Sequence, residues 1–287
     1  MPFTTLIAPG ELRPHIDDPD WAVVDCRFTL GQPERGRWAY AAAHIPGAVY
    51  AHLEEDLSGT IVPGRTGRHP LPPIGPFAAW LSAWGIDERV QVVTYDDVGG
   101  AIAARLWWML RWVGHDAVAV LDGGWPAWEA AEFPVAAAPA SRSPRRFSPR
   151  PRHDLAVDVH VVERARRDPG WRLADARAAP RFRGEDETID PVAGHIPGAL
   201  PVPFADNLDP SGRFRPRDEL RVRLTNALGH TPAERTVFYC GSGVTAAHDV
   251  LAMVHAGLGE PRLYPGSWSE WITDPRRPVA RGSELGG

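Results

Sequence analysis

The sequence predicts an α/β protein made of two copies of one domain. Short apolar runs alternate with stretches of helical periodicity along most of the chain, a pattern typical of a mainly parallel sheet flanked by helices. Four sequence blocks of the first half recur in the second half at a nearly constant spacing, which indicates a domain duplication. One cysteine, Cys240, stands where a predicted strand passes through a glycine-containing loop into a predicted helix. These observations give both the fold class and the first candidate for a site.

The elements of the first copy follow from its apolar pattern. Runs of β-favouring residues predict strands at Ala22–Asp25, Val90–Tyr95 and Val118–Leu121. Apolar residues at helical spacing predict helices at Phe77–Trp84 and Ala101–Val113. Ligands in such folds bind where parallel strands deliver their carboxyl ends. The residues that follow each strand are therefore the first candidates for function.

The two copies define the predicted domain organisation. The matching blocks are Val23–Arg27 with Leu173–Arg177, Ala43–Ala48 with Gly194–Ala199, Val92–Asp96 with Thr236–Cys240, and Leu121–Trp128 with Tyr264–Trp271. We predict an N-terminal domain over residues 1–135 and a C-terminal domain over residues 155–287. Residues 136–154 are rich in Pro, Ala, Ser and Arg and lack apolar periodicity, which predicts an extended linker.

The loop after the predicted strand Val237–Tyr239 has the composition of an anion-binding turn. Gly241 and Gly243 allow the backbone to curl tightly, so that several N–H groups point at one centre. The helix predicted over Ala246–His255 adds its positive N-terminal end. A thiol held there ionises easily, because the amides and the helix dipole stabilise the thiolate. The alternative is a buried, inert cysteine, but such a residue does not require glycines on both sides of Ser242.

The segment Cys240–Ala246, Cys-Gly-Ser-Gly-Val-Thr-Ala, resembles the active-site loop of rhodanese-type sulfurtransferases, and its Gly-Ser-Gly filling is closest to the 3-mercaptopyruvate sulfurtransferase branch. The resemblance implies two tandem rhodanese-like domains, each a mainly parallel sheet flanked by helices. It implies that Cys240 takes sulfur from 3-mercaptopyruvate or thiosulfate as a persulfide. The sulfur then passes to cyanide, a small thiol or a thioredoxin-like acceptor, and no metal or organic cofactor takes part. The further loop residues expected to bind the donor are Gly241, Gly243, Val244 and Thr245.

The first copy carries Asp96 at the position of Cys240. A carboxylate cannot hold a sulfane sulfur, so the N-terminal domain is expected to be catalytically silent and structural. Asp96 could instead be functional, but a strand-end aspartate that caps or pairs with a nearby arginine is the commoner case.

Arg181 is the predicted binding residue for the anionic end of the donor. It lies in Pro180–Gly184, which resembles the Arg-Phe/Tyr-x-Gly element of the family, and a guanidinium suits a carboxylate or thiosulfonate bidentately. Arg183 is interpreted as a surface residue. The mercaptopyruvate branch usually carries a second arginine just beyond this element, whereas residues 185–194 contain none. A thiosulfate-preferring enzyme therefore stays open as an alternative.

A proton relay is the third element that the resemblance implies. Ser242 matches a serine that the mercaptopyruvate branch uses with a histidine and an acid from the N-terminal half, and the matching residues here are His69 and Glu54. Such a chain would protonate the enolate that leaves when sulfur moves. The alternatives are a loop histidine beside a proline for His69, and a solvated acidic face shared with Glu55 and Asp56 for Glu54.

Composition excludes several other functions. The net charge of −5 gives no electrostatic basis for binding nucleic acid or an anionic membrane. The sequence has no lysine, which excludes a P-loop and Schiff-base chemistry. The two cysteines, Cys26 and Cys240, are too far apart for a zinc set or a Cys-x-x-Cys pair. The N-terminus lacks the pattern of a signal peptide, so we expect a cytoplasmic protein.

Two further function classes are alternatives for a chain with such a cysteine loop. A phosphatase or arsenate reductase needs a longer cysteine loop that ends in an arginine, whereas Ala246 and Ala247 occupy that region. A non-catalytic sulfur-relay or interaction module is the other possibility, and the intact Cys240 loop argues against it.

Overall fold

The computed structural model describes residues 2–137 and 139–283, and the chain divides into two compact units. The N-terminal unit comprises Met1–Gly59, Leu71–Arg152 and Pro210–Phe214. The C-terminal unit comprises Thr60–Pro70, His153–Asp209 and Arg215–Gly287. A short segment from the first half of the sequence, Thr60–Pro70, thus belongs to the C-terminal unit.

The N-terminal unit alternates strands and helices from its first residues onward. Its strands are β1 (Leu6–Ile7), β2 (Trp21–Asp25), β3 (Val49–Tyr50), β4 (Gln91–Tyr95) and β5 (Val118–Leu121). Its helices are α1 (Pro9–Leu12), α2 (Glu34–Ala42), α3 (Ile74–Ala83), α4 (Ala103–Trp112) and α5 (Gly124–Ala130), with a 3-10 turn at Arg13–His15. The strands predicted for this copy are confirmed to within one residue.

The sheet of the N-terminal unit has the strand order β1-β5-β4-β2-β3, and every pairing in it is parallel. Strand β4 lies in the middle and is buried over its whole length, which explains its continuous apolar run. Aliphatic side chains and the buried rings of Trp125 and Trp128 fill one layer of the core. Residue Asp96 follows β4 directly, at the carboxyl edge of the sheet.

The C-terminal unit repeats this architecture. Its strands are β6 (Arg172–Asp175), β7 (Ala199–Pro201), β8 (Thr236–Tyr239) and β9 (Arg262–Leu263). Its helices are α6 (Val159–Ala165), α7 (Ala179–Arg183), α8 (Arg217–Leu228), α9 (Ala246–His255) and α10 (Ser267–Trp271), with 3-10 turns at Phe204–Asn207 and Ala233–Arg235. The predicted helix over Ala246–His255 coincides with α9. The predicted α/β class is confirmed for both copies.

The second sheet has the order β7-β6-β8-β9 and is again parallel throughout. An isolated parallel bridge joins Ala156 to Leu263, at the place where β1 pairs with β5 in the first copy. Strand β8 is the buried central strand, so Cys240 is delivered at the carboxyl edge of the sheet. The rings of Trp268 and Trp271 are fully buried beneath it, which agrees with their interpretation as core residues.

Each copy carries the same buried ion pair at the carboxyl end of a strand, β2 in the N-terminal unit and β6 in the C-terminal unit. In the C-terminal unit, Arg177 donates Nη2–H to Asp175 Oδ2 at 2.6 Å and to the Gly194 carbonyl at 2.7 Å. In the N-terminal unit, Arg27 makes the equivalent bonds to Asp25 and to the Ala43 carbonyl, both at 2.6 Å. Full pairing is what allows such charges to be buried. The motif Asp-x-Arg is therefore structural in both copies.

The histidines before the two Pro-Gly turns each stack on a neighbouring ring and lie within hydrogen-bond distance of a backbone carbonyl oxygen. The ring of His195 stacks on Phe182 with centroids 3.7 Å apart, and its Nδ1 lies 2.8 Å from the Phe182 carbonyl oxygen. In the other unit, His44 stacks on Tyr40 at 4.0 Å, with Nδ1 2.7 Å from the Tyr40 carbonyl oxygen. This geometry supports the interpretation that both rings are structural.

The predicted linker forms neither helix nor strand over residues 139–152. It runs along the N-terminal unit, where the Arg150 and Arg152 amides donate to the Val113 and Trp112 carbonyls at 2.8 Å. Among residues 2–137 and 139–283, no helix is long and apolar enough to cross a membrane.

Candidate active site

The candidate site is the loop between β8 and α9 in the C-terminal unit. Cys240 is 2% exposed, and its Sγ accepts the N–H of Gly243 at 3.2 Å. Gly243 adopts φ +76°, and a Cβ there would lie 2.3 Å from the Pro265 carbonyl oxygen. Only glycine fits this position. The tight curl that aims the amide at the sulfur atom therefore depends on this residue.

Helix α10 fixes the backbone of the loop. The Cys240 N–H donates to Ser267 Oγ at 3.0 Å. The amides of Trp268 and Ser269 donate to the carbonyls of Cys240 and Gly241, both at 2.9 Å. Ser267 holds φ +54°, a strained value for a residue with a side chain. The loop is thus held by hydrogen bonds to the Ser267 hydroxyl and from two backbone amides of α10.

The corresponding loop of the N-terminal unit shows what this turn binds. The carboxylate of Asp96 accepts four backbone N–H groups, those of Val98 at 2.9 Å, Gly100 at 2.8 Å, Ile102 at 2.7 Å and Ala103 at 2.8 Å. Complete burial raises the pKa of Asp96, and these four bonds oppose that shift. The loop after β4 is therefore an anion cradle that is filled by its own side chain.

Cys26 is the other cysteine of the chain. It is fully buried after β2, and burial, reinforced by Asp25, Asp96 and Asp56, raises its pKa well above the usual value. Since the thiolate is the nucleophilic form, Cys26 is the inert cysteine of the pair, as the sequence pattern indicates.

The segment Thr60–Pro70 brings His69 to the Cys240 loop. His69 Nδ1 lies 2.8 Å from Ser242 Oγ, and both side chains are buried. A Cβ on Gly67 would lie 2.5 Å from the Gly266 carbonyl oxygen, so the backbone at Gly67 packs against the start of α10 too closely for a side chain. The two residues predicted as hydroxyl and imidazole of the relay are therefore in direct contact.

Arg181, on α7, also reaches the loop. Its Nε and Nη2 bind Glu187 at distances from 2.9 to 3.2 Å, and Nη2 lies 3.1 Å from Asp190 Oδ2. Its Nη2 and Nη1 lie 3.7 and 3.8 Å from the position that a Cβ on Gly241 would take. The guanidinium is thus fixed on one side and faces the loop beside Cys240 on the other.

Arg68 is a residue that the sequence analysis missed. Its Nη1 is hydrogen-bonded to Asp190 Oδ1, and its Nη2 lies 3.0 Å from the Cβ position of Gly241. No local pattern marks it, because its partners lie more than 120 residues away. In the sequence, only its position next to His69 points to it, because the two residues lie on the same backbone segment beside α10.

Acidic residues after α7 form ion pairs with these arginines. Burial opposes ionisation of Glu187, but the hydrogen bonds from Arg181 and from the backbone amides of Asp190 and Ile189 outweigh it and lower the pKa of Glu187. Arg177 also contacts Glu187, at 3.3 Å. The two carboxylates at 187 and 190, whose side chains are each 2% or less exposed, therefore hold Arg181 in place.

The remaining residues named in the sequence analysis are two residues of the loop, the surface residue Arg183, and Glu54. Val244 is buried and Thr245 half-buried at the start of α9, within the loop as expected. Arg183 is paired with Glu185 on the surface. Glu54 is exposed and belongs to the N-terminal unit, so its role as the acid of the relay stays a prediction.

Comparison with known proteins assigns the family. The chain matches the Rhodanese-like domain family over residues 8–131 and 158–274. A Pseudomonas aeruginosa protein described as a probable 3-mercaptopyruvate sulfurtransferase is 50% identical over 283 residues, which cover 98% of this chain and all of the relative. A Mycobacterium tuberculosis protein provisionally named thiosulfate sulfurtransferase SseB is 40% identical over 285 residues, or 97% of each chain.

The structural comparison agrees. The solved 3-mercaptopyruvate sulfurtransferase from Leishmania major has a TM-score of 0.83 and 34% identity, covering 93% of this chain and 74% of that one. The predicted family and the predicted enzyme class are confirmed. The chain belongs to the rhodanese family of sulfurtransferases, with two rhodanese-like domains in tandem.

Proposed function

We propose that this chain transfers sulfur from 3-mercaptopyruvate to a nucleophilic acceptor through a persulfide on Cys240. The observation that carries the proposal is the Gly243 N–H at 3.2 Å from Cys240 Sγ, in a loop whose counterpart already holds an anion. Backbone donors aimed at a sulfur atom stabilise both the attacking thiolate and the persulfide anion. Arg181, beside the same loop, binds the carboxylate of the donor.

Sulfur moves in one displacement. The Cys240 thiolate attacks the thiol sulfur of the donor, a bond forms between the two sulfur atoms, and the bond from that sulfur to C3 of the donor breaks. The electron pair stays on carbon and gives the enolate of pyruvate. The proton lost by the donor thiol balances the one that the enolate carbon takes up. The sulfur is oxidised to the sulfane level while the carbon is reduced, so no external oxidant is needed.

Ser242 and His69 supply the proton that the enolate requires. Their contact of 2.8 Å is within the range for proton transfer. The imidazole can exchange the proton through the serine hydroxyl, and burial keeps the pair out of bulk water. Glu54 remains the predicted acid of this relay.

The second half of the cycle restores the enzyme. An acceptor nucleophile attacks the outer sulfur of the persulfide, the bond between the two sulfur atoms breaks, and the Cys240 thiolate leaves. Cyanide, a small thiol and a thioredoxin-like thiol are the acceptors that we propose. Because both cysteines are free thiols, we also keep the cytoplasm as the expected compartment.

Thiosulfate is the second candidate donor. It is favoured by the 40% identity to a relative that carries the thiosulfate sulfurtransferase name, and residues 185–194 contain no arginine. Its leaving group is sulfite, which needs no proton on carbon. The Ser242–His69 contact therefore favours mercaptopyruvate as the better donor.

The test is sulfur transfer to cyanide from each donor in parallel, with Cys240→Ser and Cys26→Ser as matched variants. We expect a higher kcat/KM with mercaptopyruvate, one added sulfur atom in the mass of the donor-treated protein, and neither activity nor added mass in Cys240→Ser. Cys26→Ser should retain both. Full activity of Cys240→Ser would refute the mechanism, and a thiosulfate preference would refute the assigned donor. A protein that neither gains sulfur nor transfers it would be the non-catalytic module.

A further inference from the structure

A cavity opens at the amino edge of the sheet in the C-terminal unit. Its volume is about 810 Å³, within the range of about 300–1,000 Å³ that is typical of small-molecule sites. Arg172, which lines it, is the first residue of β6 and pairs with Thr236, the first residue of β8. Cys240 follows the last residue of β8. The cavity and the sulfur-transfer loop therefore lie at opposite edges of the same sheet.

The floor of the cavity is apolar. Leu173 on β6 and Leu228 at the end of α8 line it and are 1% and 2% exposed. Leu200 on β7 and the half-buried side chain of Trp171 add further apolar surface. Arg262 lies over the Trp171 ring at 5.4 Å, a cation–π contact that stabilises the position of the ring. A ligand with an apolar body would gain free energy by moving from water onto this surface.

Three arginines, Arg166, Arg167 and Arg172, line the same cavity. Among the described residues, none of the three forms an ion pair with a carboxylate. The Nη1 of Arg172 donates instead to the carbonyl oxygens of Pro169 and Trp171, both at 2.8 Å. The backbone thus fixes this guanidinium without neutralising its charge.

Arg166 carries its charge at a partly buried position. Its Nε is buried and has no hydrogen-bond partner within the part of the chain that the structure describes. Burial lowers the pKa of Arg166 below its usual value, the charge of Arg167 adds to this effect, and Glu163 opposes it. Positive charge held at an apolar surface is unfavourable until an anion pairs with it.

The surrounding charges leave the lining positive. One carboxylate, that of Asp168, is also among the lining residues, and its Oδ1 accepts the Gly170 N–H at 2.8 Å within its own turn. The C-terminal end of α6 stabilises nearby arginines, which accounts for Arg166 and Arg167 but not for Arg172 at the start of β6. An excess of guanidinium groups over an apolar floor is complementary to an anion with an apolar body.

We infer that this cavity is a second binding site, which takes a small molecule that carries a phosphate or carboxylate group on an apolar body. The guanidinium groups bind the anionic group, because their planar arrangement of donors suits two oxygen atoms at once. The apolar floor binds the body. The inference is independent of sulfur transfer, since the cavity lies away from Cys240, and its ligand is not expected to compete with the sulfur donor.

The experiment is calorimetric titration of the whole chain with 1-naphthyl phosphate, with 1-naphthol and inorganic phosphate as the two halves of the probe. We expect 1-naphthyl phosphate to bind at least tenfold more tightly than either half. In Arg172→Gln its affinity should fall by about ten- to a hundredfold, since a charge-assisted hydrogen bond is lost. In Arg167→Gln, an exposed position, the loss should be about three- to tenfold. Arg164→Gln is the matched control, an exposed arginine of α6 outside the cavity lining, and should stay within about twofold of the wild type.

Three outcomes would overturn the inference. The first is an absence of binding, or equal affinity for the probe and for one of its halves. The second is an equal loss in Arg164→Gln and Arg167→Gln, because it indicates a general effect of surface charge. The third is loss of binding in Arg181→Gln rather than in Arg167→Gln, or a rise in donor KM with added probe, because either places the probe at the Cys240 loop. Sulfur transfer through Cys240 would stand in each case.

Discussion

Replacing His69 by glutamine separates a hydrogen bond from a proton transfer. Glutamine is close in size to histidine and can keep a hydrogen bond to Ser242 Oγ, which lies 2.8 Å from His69 Nδ1. It cannot take up or release a proton at neutral pH. The variant should therefore fold as the wild type does and fail only where a proton must move.

The size of the effect depends on the donor. General acid–base catalysis contributes about 10²- to 10⁴-fold to a rate, so persulfide formation from mercaptopyruvate should slow by roughly a hundredfold or more. A hundredfold is about 3 kcal/mol of activation free energy. With thiosulfate the leaving sulfite needs no carbon protonation, and the loss should be less than about threefold.

The assay is single-turnover formation of the persulfide, followed by rapid quench and mass measurement with each donor. His230→Gln is the control, because His230 is an exposed histidine in the same unit. Equal losses with both donors would refute the relay and assign His69 a structural part. An unchanged mercaptopyruvate rate would refute it outright.

Two further predictions concern the same unit. In Gly67→Ala the new Cβ would lie 2.5 Å from the Gly266 carbonyl oxygen and 2.6 Å from Ser269 Oγ. We expect the free energy of unfolding, measured in urea, to fall by about 1–3 kcal/mol and persulfide formation to slow at least tenfold. The control Gly75→Ala, where a Cβ meets nothing within 4 Å, should keep both the stability and the rate. Burial raises the pKa of Asp249 to about 7, so the folded state binds this proton more tightly than the unfolded state and stability is lost as the pH rises from about 4 to about 7. Asp249→Asn should remove that loss, so its effect on the free energy of unfolding should be more favourable at pH 8 than at pH 4 by up to about 4 kcal/mol, measured by urea unfolding at both pH values. The exposed-site control Asp218→Asn should keep the pH dependence of the wild type. A pH dependence of Asp249→Asn as steep as that of the wild type or of the control would contradict the assignment.

Local patterns were enough to predict the parts of the site that lie on β8 and α9. A continuous apolar run, a cysteine and two glycines predict a strand end, an anion-binding turn and a helix start, and these are determined by neighbours in sequence. Arg181 was found because α7 carries a recognisable short element. The repeat itself identified Asp96 as the counterpart of Cys240.

The remaining parts depend on contacts between distant residues. Ser242 and His69 are 173 residues apart, and only the family resemblance paired them, because nothing in the composition of Thr60–Pro70 indicates that it belongs with the C-terminal unit. Arg68 was overlooked for the same reason. The acidic run after Arg183 resembles a solvated loop in sequence, yet Glu187 and Asp190 are buried by the arginines that they neutralise. Charge pairs of this kind become visible only when both partners are placed.

The duplicated loop explains why the N-terminal unit is expected to be catalytically inactive although its loop is fully hydrogen-bonded around Asp96. In the N-terminal unit the Asp96 oxygens occupy the amide cradle through four hydrogen bonds of 2.7–2.9 Å. In the C-terminal unit the shorter cysteine side chain accepts the Gly243 N–H at 3.2 Å. A persulfide adds one anionic sulfur atom beyond Sγ, just as the carboxylate oxygens of Asp96 lie one bond beyond Cγ. We infer that the first copy keeps the cradle and closes it with its own anion, whereas the second copy leaves it for the transferred sulfur.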